Sequence, residues 1–404
     1  MKKLRKIAER LAEYILTASG AVTSIAILLI VVFLFREGLG LFKSPVVEKG
    51  YALFVNSANP VQSLAPEQIK AIFDREITDW SSVGGRNEAI RVFRFDEVFS
   101  LYSDQELDAE NDYRLLPEKL AEIVAADPSI VAYLSEQYAP AEGKGVKIVQ
   151  TGTISPADYF GGREWMPTAT PTAQFGVLPL VLGTLLVSLV AILIALPLGL
   201  GVAIYLSELA GERMRKLLKP AIELLAGIPS VVYGFFGLVV LVPLVQRTFG
   251  LDVGETALTG SLILAIMALP TIITVAEDAM RNTPLAMRQA SLALGATHWQ
   301  TIYKVVIPYS LSGISAAVVL GIGRAIGETM AVLMVTGNAA VMPRSLFESV
   351  RTIPATIAAE LGEAPSGGAH YQALFMLGCI LFVITMIISI TAEAISKRKH
   401  TAGV

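Results

Sequence analysis

The chain has 404 residues, 53% of them hydrophobic and only 17% charged, with a formal net charge of −3 and a mean hydropathy of +0.60. Soluble domains carry roughly 25% charged residues, so this composition excludes an ordinary soluble enzyme and defines an integral membrane protein. One cysteine, Cys379, excludes an internal disulfide, and three scattered histidines (His298, His370, His400) supply no metal-ligand cluster. The lack of any GxxxxGK[ST] stretch excludes a Walker-type ATP site, and no cofactor is expected.

In chain order, the first apolar run lies near residues 13–35, behind a basic start. It is too long for the apolar core of a signal peptide, and no small-residue cleavage site follows, so it reads as a membrane anchor. Residues 36–170 change character, with 13 Lys/Arg against 21 Asp/Glu. Runs at 51–55, 90–95 and 146–149 read as strands; 66–73 and 117–126 read as helices, and 129–138 as a further helix. This is a small α/β domain, long enough to bury its own core.

Five more apolar runs follow, near 175–206, 217–246, 256–278, 306–336 and 371–396, each able to supply the roughly 20 residues that cross about 30 Å of hydrocarbon. Pro229, Pro243 and Pro270 interrupt the second and third of these, which membrane helices tolerate when neighbours satisfy the freed carbonyls. Basic residues cluster at Lys2, Lys3, Arg5, Lys6 and Arg10, at Arg213, Arg215, Lys216 and Lys219, at Arg281, Arg288 and Lys304, and at Lys397, Arg398 and Lys399. A six-span path puts all four clusters on one side, so the positive-inside rule makes both termini cytoplasmic and residues 36–170 external. The expected fold is an all-α membrane protein of six transmembrane helices with a small α/β extracytoplasmic domain between the first two. Its parts are residues 1–35, 36–170 and 171–404, with a cytoplasmic loop at 279–306.

Residues 283–308, TPLAMRQASLALGATHWQTIYKVVIP, form a polar island between two apolar runs. Leu285, Met287, Ala290, Leu292 and Leu294 make one periodic apolar run, and Trp299, Ile302, Tyr303 and Val306 make a second. Thr283-Pro284 starts a helix, Gly295 ends it in the left-handed conformation, and Pro308 opens the next hydrophobic helix. Two short helices joined by a tight turn read either as a docking element or as an amphipathic loop with no partner.

The run GIGRAIGETMAVLMVTGN carries Arg324 and Glu328 inside an apolar helix, flanked by Gly321, Gly323 and Gly327. Charges there cost several kcal/mol each, roughly, and normally face a bundle interior or a cavity. Their i, i+4 spacing puts them on one helix face, close enough to pair. A guanidinium suits an oxyanion by bidentate hydrogen bonding, and the glycines let a backbone or ligand approach. The two readings are a translocation path and a buried ion pair that locks two helices.

The order Gln289-Ala290-Ser291, Ala293, Gly295, Ile307-Pro308 resembles the EAA loop of ABC-importer permeases, with Gln-Ala-Ser in place of Glu-Ala-Ala, so the leading carboxylate is absent. The Arg324 run is similar to the GRAxGETMAV segment of phosphate permeases of the PstC type. The stretches AIELLAGIPSVVYGFFGL, with its intramembrane Glu223, and LGCILFVIT are similar too, and the resemblance covers the first span and about 155–400. It implies a type I ABC importer permease (MetI-like) for inorganic phosphate in a bacterial inner membrane. Gln289, Ala290, Ser291, Ala293, Gly295 and Pro308 would couple to the ATPase. Arg324, Glu328, Gly323 and Gly327 would line the path, and Glu223 would serve packing and gating.

The partners implied are a second permease of the PstA type, an ATPase dimer of the PstB type, a soluble phosphate-binding protein of the PstS type and the lipid bilayer; no nucleic acid is involved. The run from Asn59 to Phe95 is similar to a segment of phosphate-binding proteins, yet Arg94-Phe95-Asp96-Glu97 follows its last strand with no GSG-type loop, and the two acids would repel an anion. A docking platform, or a remnant, is the reading for that domain. Import of another oxyanion such as sulfate or molybdate, or docking and signalling to a phosphate-sensing kinase system, are the alternatives.

Overall fold

The structure, a computed structural model, describes residues 2–108, 112–140 and 144–401; the side chains of Lys2, Lys3, Arg5, Lys397, Arg398 and Lys399 lie outside the described residues. The chain divides into two compact units, Met1–Gly176 with Ala364–Met376, and Val177–Glu363 with Leu377–Val404.

In the first unit, helix α1 (Lys2–Gly40) supplies most of the apolar stretch Arg10–Lys43, none of whose most apolar window is buried. Beyond it a four-stranded sheet forms from β1 (Tyr51–Asn56), β2 (Arg91–Phe93), β3 (Ile130–Ser135) and β4 (Val146–Ile148), in the order β2-β3-β1-β4. Strand β1 runs antiparallel to β3 and β4, and β2 runs parallel to β3. Successive side chains point to opposite faces. Phe54 and Ala132 join one core with Leu120 and Val124 of helix α3 (Leu116–Ala126). Leu53, Val55 and Val131 join the other with Ile69 and Ile72 of helix α2 (Pro66–Phe73) and with Trp80.

The expectation of a helix over 129–138 is overturned, because Ile130–Ser135 is the strand between β1 and β2. Ile130, Val131, Ala132 and Leu134 must serve two cores at once, and only period-two alternation lets one segment do so.

The second unit is helical: α4 (Leu178–Ile204), α5 (Glu212–Ala226), α6 (Ser230–Phe249), α7 (Ala257–Arg281), α8 (Leu285–Ala293), α9 (His298–Tyr309), α10 (Leu311–Gly327), α11 (Met330–Val335), α12 (Ile353–Glu360) and α13 (Ala369–Thr401), whose first turns belong to the first unit. Helix α7 is the most enclosed of the long apolar helices. Its Ile263, Ala268 and Ile272 pack on Val187, Ala191 and Ala195 of α4 and on Ala325 of α10. Close packing of α7 depends on small residues, since a Cβ at Gly199 or at Gly321 would meet Ile272 at 2.8 Å.

Among the described residues five helices are long and apolar enough to cross a membrane, or six if α9 and α10, bent by 71°, count as one span. Two expected spans are therefore redrawn. The run 217–246 is split: α5 is amphipathic and buries no residue, the chain breaks at Gly227-Ile228-Pro229, and α6 starts afresh after the proline. The run 306–336 is bent at Ser310 and ends its helix at Gly327, with a short helix following.

Candidate functional site

The polar island folds as a capped hairpin. Pro284 stands one place before the first helical residue of α8. At the far end Gly295 has φ +84°, the left-handed region. The Ala296 N–H reaches the Ser291 carbonyl at 3.2 Å and the Gly295 N–H reaches that of Leu292 at 3.0 Å, the two hydrogen bonds of a Schellman stop. Thr297 then starts α9 with a capping box: its Oγ1 accepts from the Gln300 N–H at 3.2 Å, and the Gln300 side chain accepts from the Thr297 N–H at 2.8 Å. Ser291 Oγ and Thr301 Oγ1, 2.9 Å apart, tie the two helices together.

Gln289, Ala290, Ala293 and Gly295 are exposed on this hairpin and Ser291 is half-buried. The first apolar run does not turn inward: Leu294 is 89% exposed, with Leu285, Met287 and Leu292 also exposed, whereas the second exposes Trp299 (59%) and Tyr303 and buries Ile302 and Val306. Pro308 does not open the next helix. It lies in the last turn of α9, and the bend falls two residues later at Ser310, whose Oγ lies 3.1 Å from Thr283 Oγ1. The bend thus sits directly on the start of the hairpin.

Side chains that the sequence offered only as a charge count anchor this end of the unit. Arg288 donates to Glu208 Oε2 at 2.9 Å, beyond the end of α4, and to the Met280 carbonyl of α7 at 2.8 Å. His298 Nε2 lies 3.1 Å from the Glu208 carbonyl. Glu277, only 1% exposed, is held by Arg215 and by Lys219 at 2.7 Å, so α5 hangs on α7 by these ion pairs. Glu208 and Glu277 were missed from sequence. The signal was present, since each is an acid at the end of an apolar run facing a basic cluster, and a buried carboxylate requires a partner.

At the other candidate locus Arg324 is half-buried on α10, and its Nε is buried without a hydrogen-bond partner. The expected pairing with Glu328 is not formed, and among the described residues no ion pair joins them. The physical reason is that α10 ends at Gly327 and Glu328 is extended (ψ 130°), so the i, i+4 geometry does not exist. Glu328 Oε1 instead accepts from the Ala331 N–H at 3.4 Å, at the start of α11. Gly321 is packed, whereas a Cβ at Gly323 or Gly327 would meet nothing within 4 Å. Ser312, Ala316, Leu320, Gly323 and Gly327 form one exposed stripe along α10. Glu223, expected to pack, is exposed on α5.

In the first unit, the segment after β2 is closed on itself. The Glu97 carboxylate accepts from the Arg94 N–H at 3.1 Å and lies 3.4 Å from the Arg91 guanidinium. One backbone donor that an anion could use, the Arg94 N–H, is thus already taken by a carboxylate. Asp127, which precedes β3, is held below the usual carboxylate range chiefly by the Ser129 hydroxyl, then by the Ser129 N–H and Arg91.

A bundle of helices long and apolar enough to cross a membrane, with an apolar hairpin left exposed, has the make-up of a multi-pass membrane protein. Comparison with known proteins gives the family. Residues 195–401 match the family described as binding-protein-dependent transport system inner membrane component, and residues 33–96 match a PBP superfamily domain. A probable ABC transporter permease protein, YqgH of Bacillus subtilis (strain 168), is 36% identical over 304 residues, which cover 75% of this chain and 96% of that protein. The phosphate transport system permease protein PstC of Mesorhizobium japonicum is 41% identical over 259 residues, covering 59% of this chain and 78% of that protein. Among solved structures, an inward-facing MetNI methionine ABC transporter chain is 18% identical with a TM-score of 0.44, covering 54% of this chain and 94% of that one. The chain belongs to the family of binding-protein-dependent transport system inner membrane components.

Proposed function

We propose that this protein is the permease subunit of an ATP-driven importer of inorganic phosphate, with the type I importer permease fold. The observation that carries the reading is the exposed Leu285–Tyr309 hairpin in a chain that is 41% identical to a phosphate permease. Gln289, Ala290, Ser291, Ala293 and Gly295 lie on the hairpin and Pro308 beside its bend, where a cytoplasmic ATPase dimer would dock. Arg324 supplies the positive charge of the path, with an unpartnered donor to offer. Glu328, at the break between α10 and α11, sets the geometry there, and Gly323 and Gly327 leave the space. The exposed stripe of α10 faces either the path or a second permease. The mechanism is alternating access: closure of the ATPase dimer moves the hairpin, the bend at Ser310 passes the movement to α10, and the Arg324 region changes its access.

Both termini and the hairpin lie in the cytoplasm in this reading, and residues 36–170 lie outside. Their likeness to a PBP superfamily domain, together with the closed Arg94–Glu97 segment, supports a platform for a soluble phosphate-binding protein rather than a phosphate site. Contact with a phosphate-sensing kinase system would use the same platform. The test is co-purification with a second permease and the ATPase, followed by phosphate uptake in liposomes with sulfate and molybdate as competitors. Uptake saturated by sulfate but not phosphate, or transport without any ATPase, would overturn the proposal.

A further inference from the structure

We infer that Arg351, Thr352 and Asn338 form a second oxyanion station in the helical unit, separate from Arg324, which Glu360 occupies as an internal counter-ion until the transported anion displaces it. The inference rests on the reading of the chain as an oxyanion permease, and it assigns a selectivity role to residues that carry none in that reading.

The segment 346–353 is fixed from several sides. The Val350 N–H donates to the Thr336 carbonyl at 2.9 Å, the Ala257 N–H to the Glu348 carbonyl at 2.9 Å, and the Ile353 N–H to Thr184 Oγ1 at 2.9 Å. Gly183 makes room for it, since a Cβ there would lie 2.4 Å from the Arg351 carbonyl oxygen. Backbone so constrained holds its side chains in place, as a ligand site requires.

Three polar groups in this segment and beside it lack partners. Arg351 binds Glu360 at 2.5 Å through one terminal nitrogen, with the two side chains 20% and 13% exposed, yet its buried Nε has no acceptor. Thr352 is 4% exposed and its hydroxyl has no partner. It is the residue before α12, where a threonine hydroxyl ordinarily caps the helix, and it does not do so. Asn338 donates through Nδ2 to the Leu333 carbonyl at 2.8 Å, which leaves Oδ1 as a buried acceptor without a donor. The parallel bridge between Gly337 and Val350 puts Asn338 and Arg351 at neighbouring register positions.

Buried polar groups normally find partners, so three unfilled ones at adjacent positions mark a place for a polar guest. The chemistry names its class. A guanidinium with Nε free attracts a tetrahedral oxyanion, and the Thr352 hydroxyl stands at the positive end of α12. The Asn338 acceptor welcomes a P–OH proton, which phosphate carries near neutral pH and sulfate lacks. The Glu360 carboxylate is the anion's stand-in: it keeps Arg351 paired when the station is empty and leaves when phosphate takes the guanidinium.

The test uses the full chain with its second permease, ATPase and binding protein in liposomes, measuring KM and kcat for inorganic phosphate and inhibition by sulfate. Thr352→Val, which keeps the shape, is expected to raise the phosphate KM about tenfold. Asn338→Leu is expected to narrow discrimination against sulfate by a similar factor. The exchange Arg351→Glu with Glu360→Arg re-forms the ion pair and is expected to leave the complex assembled but to raise the KM severalfold. Wild-type kinetics in the exchanged protein and in Thr352→Val would show the pair to be a structural clamp and overturn the station alone. Wild-type vesicles that accumulate no phosphate would overturn the permease reading together with it.

Discussion

Arg324 shows how far a single residue can be read. That it is special is legible, because a guanidinium within an apolar run demands a role. Its partner was not legible, because the i, i+4 rule assumes a helix that continues, and α10 stops at Gly327. Nothing in Gly-Glu-Thr-Met forces that stop in isolation; the packing of α11 on α6, with a Cβ at Gly234 coming within 3.0 Å of Ala331, belongs to the tertiary structure. Arg324→Ala is expected to lower phosphate uptake at least tenfold, since hydrogen bonds to charged groups contribute about 1.5–3 kcal/mol. Arg324→Lys should recover part of that loss, because it keeps charge but not the bidentate fork. Glu328→Gln retains the oxygen that caps Ala331 and should retain most uptake; a loss as deep as that of Arg324→Ala would give Glu328 a direct hand on the anion. Arg288 belongs at the same scale. Arg288→Met strands the Glu208 carboxylate, 3% exposed, and should lower stability by about 3 kcal/mol, read as a drop in thermal midpoint of the solubilised protein.

Among elements, those with local signatures were legible. The hairpin was read from Gly295 and two apolar runs, and its stop uses the conformation that the glycine implies. Gly295→Val forces a β-branched residue to φ +84°, a strain of about 1–2 kcal/mol. It should weaken ATPase co-purification without reducing membrane insertion, and unchanged co-purification would show that the turn geometry is not needed for docking. Strand β3 was not legible, because its segment follows a helix and its alternation has meaning only once a sheet has two covered faces. The Asp127–Ser129 turn that starts it predicts a pH response. The Asp127 carboxyl is depressed from the ordinary 3.8, so its contribution to stability is complete above that value and is lost as pH falls through the lowered value. Trp80, whose indole N–H donates to the Ser129 carbonyl at 3.0 Å, is the reporter. Asp127→Asn should make its fluorescence nearly independent of pH below 4, and an unaltered acid transition would exclude Asp127 as the group responsible.

For the whole molecule, the apolar class was set by composition, while the breaks within the long runs were not. Pro229, Pro308 and Glu328 all sit near a break, but only Pro229 is its agent; the other breaks follow from where helices meet. Exposed surface tells the complementary story, for α1, Leu320 of α10 and the hairpin leave apolar side chains uncovered. Leu294→Asp places a charge on the most exposed of these hairpin side chains. It should leave the permease in the membrane and cut ATPase recovery by tenfold or more, as truncation of an interface anchor worth about 2 kcal/mol would. Full recovery of the ATPase would remove the hairpin from the interface.

The hairpin is stopped at one end, boxed at the next and tied across by Ser291 and Thr301, so its two arms are braced against each other at the turn. In the proposed mechanism a displacement at Leu294 reaches Ser310 through this braced turn and through the π-helical segment Ile302–Val306. An extra glycine inserted after Gly295 would leave both arms able to grip while letting one slide past the other. In an importer carrying this variant the partner ATPase should hydrolyse ATP at its normal rate while no cargo moves, an engine running with its clutch slipping.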